Sequence, residues 1–228
     1  MRIIIFLFPL LSGLAISNAG DWSGWRGEDR TGASKETGLL QEWPENGPKR
    51  MWLSKEAGLG YSGFSVVGNQ LFTMGAFDQK EKLLALNSLT GEKHWEVEVG
   101  SLLTNNWGDG PRMTPTVSKG LVYALGGRGK LVCVNAETGK TLWSKGLVED
   151  LGGKVPNWGY TESVLVDQGR VICTPGGKKG ALAALDAKTG NVLWQSKDFT
   201  DGAQYSSPIA IEHGGNRQYV QLVMKNLV

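Results

Sequence analysis

An all-β propeller of four-stranded antiparallel blades is the fold this sequence predicts, on three observations. An eleven-residue phrase occurs three times, as Ala85–Trp95 (ALNSLTGEKHW), Cys133–Trp143 (CVNAETGKTLW) and Ala184–Trp194 (ALDAKTGNVLW). The closing Trp residues are 48 and 51 positions apart, the period of a propeller blade rather than of a helical or ankyrin array. Two further strand signals precede each phrase, which makes four short strands per period.

Each phrase reads as a hairpin. In the second, Leu131–Val134 is an apolar strand and Thr141-Leu142-Trp143 begins the next. The turn between them, Asn135–Gly139, starts on a side chain that can accept backbone N–H bonds two residues on and ends on Gly for a positive φ. Asn87–Gly91 and Asp186–Gly190 repeat that chemistry. The Trp is too large for one sheet to bury, so it is expected between blades with its indole N–H on a backbone acceptor. Upstream, Phe64–Val67, Pro115-Thr116-Val117 and Ser163–Val166 are first strands; Gln70–Met74, Leu121–Leu125 and Arg170–Thr174 are second strands. No helix-period segment competes after residue 20, and the 33 Gly suit a fold built on tight turns.

The phrase A-x-D-x-x-T-G-x-x-x-W resembles the repeat of the quinoprotein-type (PQQ-like) propeller family, in its exported bacterial form, over about residues 60–224. Asn87 and Asn135 replace the usual Asp, and Cys133 the usual small Ala. The resemblance implies a ring of about eight blades. Only three whole blades and two partial ones are legible here: Lys49-Arg50-Met51-Trp52 reads as a closing strand near 49–54, and Ser206–Ala210 with Gln218–Met224 as the opening strands of a fourth blade. The expectation is an N-terminal fragment of a longer protein, with self-association as the alternative if the ring is truly incomplete.

Residues 1–19 read as a signal peptide: Arg2, the apolar run Ile3–Ile16, then small residues Ser17 and Ala19 at a cleavage site. The run is too short for a membrane span, which needs about 20 residues. The expectation is export, to the periplasm or beyond. From Gly20 the remaining 209 residues carry 23 basic and 22 acidic side chains with no basic run, which argues against nucleic acid. Residues 20–59 read as an irregular segment, and 60–228 as the incomplete propeller. The opening Trp22-Ser23-Gly24-Trp25-Arg26-Gly27 resembles the W-x-x-W-R-G stretch that precedes such propellers and is expected to pack its Trp residues on them. Cys133 and Cys173 fall on strands of adjacent blades, so two buried free thiols are expected in place of a disulfide, which needs Cα atoms within about 7 Å.

The segments before each first strand hold the unusual polar and aromatic residues: Gly60–Gly63, Asn106–Thr114, Asn157–Glu162 and Gln204–Ser207. The first strand of a blade is innermost, so these segments should converge on the central channel. Tyr61, Trp107, Asp109, Arg112, Trp158, Tyr160, Glu162 and Tyr205 are therefore the candidate ligand- or cofactor-facing residues. The alternative is structural: Asp109 and Arg112 pair with each other or cap turns. His94 and His213 belong to no recognisable catalytic set and read as surface residues. Thr174–Gly180 links two strands and opens no helix, so it is a hairpin and not a phosphate loop.

Two functions follow. One is an exported, non-catalytic binding or scaffold module that takes a protein or carbohydrate partner on its loop face. The other, implied by the resemblance alone, is a PQQ-dependent alcohol or sugar dehydrogenase with Ca²⁺ on the propeller axis. The adjacent cysteine pair often seen in those enzymes is missing here.

Overall fold

The computed structural model describes residues 20–228, and the expected signal peptide lies outside them. Three four-stranded antiparallel sheets follow one another along the chain. Blade 1 contains β1 (Phe64–Val67), β2 (Gln70–Phe77), β3 (Lys80–Asn87) and β4 (Lys93–Ser101). Blade 2 contains β5 (Thr116–Ser118), β6 (Leu121–Leu125), β7 (Lys130–Asn135) and β8 (Thr141–Gly146). Blade 3 contains β9 (Leu165–Asp167), β10 (Arg170–Cys173), β11 (Ala183–Asp186) and β12 (Val192–Gln195). A hairpin of β13 (Ile209–His213) and β14 (Asn216–Val220) begins a fourth. In each whole blade the strands pair in chain order, so the first is innermost and the fourth outermost.

The phrase chemistry repeats atom for atom. The Asn135 side chain accepts the N–H groups of Glu137 and Thr138 at 3.1 and 2.8 Å, and Gly139 closes the turn at φ 72°. Asn87 and Asp186 do the same at their turns. Opposite each Trp in the ladder stands a small residue: Ala85 faces Trp95, Cys133 faces Trp143 and Ala184 faces Trp194. The ladder skips the residue before the Trp in all three blades, a repeated bulge at His94, Leu142 and Leu193 that re-aims the strand into the Trp.

Trp residues join the blades. The Trp95 indole donates to the Ala136 carbonyl of the next blade at 3.1 Å, and Trp143 to that of Ala187 at 3.1 Å. Each ring lies on the turn Gly of that blade, where a Cβ on Gly139 would stand 2.8 Å from Trp95 and one on Gly190 2.7 Å from Trp143. Both faces of the middle blade are thereby covered. Leu131, Val132, Cys133 and Val134 of β7 are all buried in succession, the signature of a strand with no solvent face. The apolar core runs through these interfaces, from Phe72 and Leu83 to Leu185 and Ala187. On the far side of blade 3, Leu193 and Trp194 are 51% and 38% exposed.

Residues 49–54, expected as a closing strand, form none. A strand needs a ladder, and no described strand lies beside this segment. Its Trp nevertheless takes the interblade post. Trp52 donates to the Ser88 carbonyl at 3.0 Å and lies on Gly91, as Trp95 does one blade on. The free thiols are as expected: Cys133 and Cys173 are both buried and unbridged.

The irregular N-terminal segment packs on the propeller, across the inner strands. Trp22 exchanges both backbone hydrogen bonds with Val66 of β1, at 2.7 and 2.9 Å, and the Ser23 carbonyl accepts from Val117 of β5 at 2.7 Å. Farther along, the buried Arg30 donates to the carbonyls of Ser163, Val164 and Pro208, at 2.9, 2.5 and 2.8 Å. This strap thus ties blades 1 and 2 to blade 3 and the fourth-blade hairpin.

Candidate binding face at the propeller axis

Where the four inner segments meet, equivalent positions are knitted sideways. The Thr114 N–H donates to Ser163 Oγ at 2.9 Å, and the Ser163 N–H donates to Ser207 Oγ at 2.8 Å. Gly63 holds the corresponding place in blade 1, where a Cβ would collide with Thr114 Oγ1 at 2.4 Å. Two residues upstream of this belt stand Tyr61, Arg112, Thr161 and Tyr205, one from each blade. Together with Trp107, Trp158, Trp25 and the belt hydroxyls they line a cleft of about 390 Å³, within the usual size range of ligand sites.

Five of the eight sequence-predicted residues meet there: Tyr61, Trp107, Arg112, Trp158 and Tyr205. The Trp158 and Tyr205 rings stack at 4.7 Å and 14°. Arg112 lies 5.4 Å over the Tyr61 ring and braces its own loop, donating to the carbonyls of Gly110 and Gly108 at 2.6 and 2.7 Å. Trp158 Nε1 is buried and has no hydrogen-bond partner.

The other three lie outside the cleft. Asp109 accepts the Asn105 N–H at 3.2 Å and caps the loop turn, and no ion pair joins it to Arg112. Tyr160 is buried and donates its hydroxyl to the Pro175 carbonyl at 2.7 Å; burial raises its pKa. Glu162 is 1% exposed, accepting the Thr174 N–H at 2.6 Å and a longer contact of 3.4 Å from Gln221 Nε2. Burial pushes its carboxyl up to about 7, against the hydrogen bonds from Thr174 and the attraction of Arg30. Burial likewise lowers the Arg30 guanidinium to about 10.

Sequence reasoning missed Arg30, the belt residues Thr114, Ser163 and Ser207, and the position of Trp25 in the cleft wall. The belt was detectable as a position repeated in each blade. Arg30 sits in a segment without period, and nothing local marks its long-range partners. His94 and His213 are exposed, as expected.

The described residues do not fit a calcium–quinone site. Ca²⁺ takes about six to eight oxygen ligands, carboxylates prominent among them. The cleft lining contains no carboxylate, and no cluster of three or more metal-ligating side chains occurs among the described residues. Nor does any helix among them have the length and apolarity to cross a membrane.

The family model described as outer membrane protein assembly factor BamB matches residues 79–228. The chain belongs to this family of PQQ-like propellers. BamB of Escherichia coli (strain K12) is 29% identical over 127 residues, covering 54% of this chain and 30% of its own. The polyvinylalcohol dehydrogenase of Sphingopyxis sp. (strain 113P3) is 27% identical over 197 residues, 78% of this chain and 28% of that protein. In fold, a europium-containing methanol dehydrogenase matches 79% of this PQQ-like chain at TM-score 0.57 and 20% identity, over 32% of its own length. The chain therefore spans under a third of the length of the curated relatives it matches. Its curated relatives include both an assembly factor and a dehydrogenase.

Proposed function

We propose that this PQQ-like propeller is an exported binding module, periplasmic or secreted, that engages a protein or carbohydrate partner through the axial cleft. The observation that carries the reading is the cleft's chemistry: exposed aromatic rings, hydroxyls and a single guanidinium, with no carboxylate to act as base or metal ligand. Aromatic residues and Arg are the side chains from which interface anchors are most often made. The buried acid Glu162 lies outside the cleft lining and is engaged by Thr174 and Gln221. The similarity to BamB supports a protein partner.

The test is photo-cross-linking in the source cell envelope, comparing wild type with the double variant Trp107→Ala, Tyr205→Ala. Both rings are largely exposed, so their truncation leaves the core intact. A cross-linked species lost in the double variant supports the reading. Cross-links unchanged by the variant place the partner elsewhere and overturn it.

The dehydrogenase similarity, which covers 78% of the chain, favours a second reading in which this chain is part of a PQQ-dependent enzyme with Ca²⁺. The rest of the ring would then have to bring the carboxylates that the described residues lack. Dye-linked alcohol oxidation by the native gene product, after loading with quinone and Ca²⁺, decides between the two.

A further inference from the structure

We propose that the axial cleft accepts an acidic pyranose, a uronic acid unit of an anionic oligosaccharide. The proposal rests on the binding reading above and names its ligand class. Three features of the site point to it.

The first is the display of ring faces. Tyr61, Trp107 and Tyr205 are 63%, 68% and 61% exposed around the mouth, and Tyr205 is held from behind by its stack on Trp158. A pyranose has a face of C–H bonds with slight positive charge, which rests on the negative face of an aromatic ring. Its edge is a rim of hydroxyls. The second feature suits that rim: Ser163 and Ser207 each accept a backbone N–H through Oγ, which leaves the hydroxyl proton to donate.

The third feature is charge. Arg112 is the only charged residue of the lining, and among the described residues it forms no ion pair. Its Nη1 and Nη2 brace the Gly110 and Gly108 carbonyls and Asn105 Oδ1, Nε has no partner among the described residues, and the charge is met only in part, without an ion pair, by the buried Glu81 carboxyl. The aromatic walls would otherwise suit a cationic guest, and the guanidinium over Tyr61 opposes one. A carboxylate on the sugar answers it.

A peptide added as an extra strand is disfavoured by the same geometry. The inner strands β1 and β5 already bond the strap through Trp22 and Ser23, and the carbonyls of Ser163 and Val164 beside β9 are taken by Arg30. The strap and Arg30 thus occupy part of the inner edges that β-addition would need.

Isothermal titration of the full chain with oligogalacturonate, cellohexaose and a proline-rich peptide tests the proposal. Saturable binding of oligogalacturonate is expected, at least about tenfold tighter than cellohexaose. Trp107→Ala weakens it by about tenfold, and Arg112→Gln abolishes the preference for the acidic sugar. Arg112→Lys, which keeps the charge, retains that preference even if the loop it braces shifts. No saturable binding of oligogalacturonate overturns the proposal, as does equal affinity for the two sugars. Binding of the peptide alone overturns it too, while leaving the binding reading standing. Loss of the cell-envelope cross-links tests that reading separately.

Discussion

Replacing Arg30 by Met tests whether the strap closes the propeller against its axis. Met keeps most of the aliphatic stem and removes the guanidinium. The carbonyls of Ser163 and Pro208 then lose their donor, while that of Val164 keeps the Thr116 hydroxyl at 2.7 Å. A buried polar group left unpaired costs about 1–3 kcal/mol, so two that stayed dry would cost about 2–6 kcal/mol. Two effects reduce that sum. Arg30 retains 8% exposure, enough for water to reach part of the site. Removing the charge also relieves the burial that lowers its pKa from 12.5 to about 10, a relief of about 3 kcal/mol. The expected net loss is about 1–2 kcal/mol. Urea unfolding followed by far-ultraviolet circular dichroism measures it, and tryptic cleavage after Arg26 reports strap release. Arg30→Lys, with its charge and a shorter reach, should lose less than Arg30→Met. No measurable loss for Arg30→Met, with the strap still protected from trypsin, would refute the reasoning.

Other outcomes follow from the same contacts. Glu162 has a folded-state pKa raised to about 7 from 4.5, so the folded protein holds this proton more tightly than the unfolded chain. Its contribution therefore falls as pH rises from about 4.5 to 7, by about 3 kcal/mol, and is level above that window. Glu162→Gln should flatten that part of a stability-against-pH curve; a slope identical to wild type would exclude Glu162 as its source. Gly139→Ala places a Cβ 2.8 Å from Trp95 at φ 72°, and a loss of about 2 kcal/mol in chemical denaturation is expected. Trp95→Phe removes the bond to the Ala136 carbonyl and part of the ring, and should cost about 1–2 kcal/mol by the same measurement. Burial pushes the Cys133 thiol up to about 11 and the Cys173 thiol well above its ordinary value. Neither should react with a thiol reagent in the native protein at neutral pH, and both should react in denaturant.

The blades were legible because they are local. An Asn135-to-Gly139 turn, a small residue opposite Trp143 and four strands in chain order need only neighbours within one repeat. The interblade role of the Trp was also readable, since a ring that size had to leave its own sheet. The axial site was half legible. Repetition pointed to Tyr61, Arg112 and Tyr205, because each blade places the same position at the centre. It could not separate them from Glu162 and Tyr160, neighbours in sequence whose side chains enter the blade interface. One residue along a strand reverses the side a side chain takes, and short irregular segments blur that alternation.

Period and turn chemistry in the sequence by themselves determined the blade, its strand order, its Trp and the convergence of the inner segments. Only the tertiary structure decided that residues 49–54 form no strand yet seat Trp52 on Gly91, and that Arg30 reaches three carbonyls on two blades. The physical reason is the range of the interactions. A turn is decided by hydrogen bonds within a few residues. Arg30 meets Ser163 and Pro208 across 133 and 178 positions of chain, and only the assembled blades bring those carbonyls within its reach.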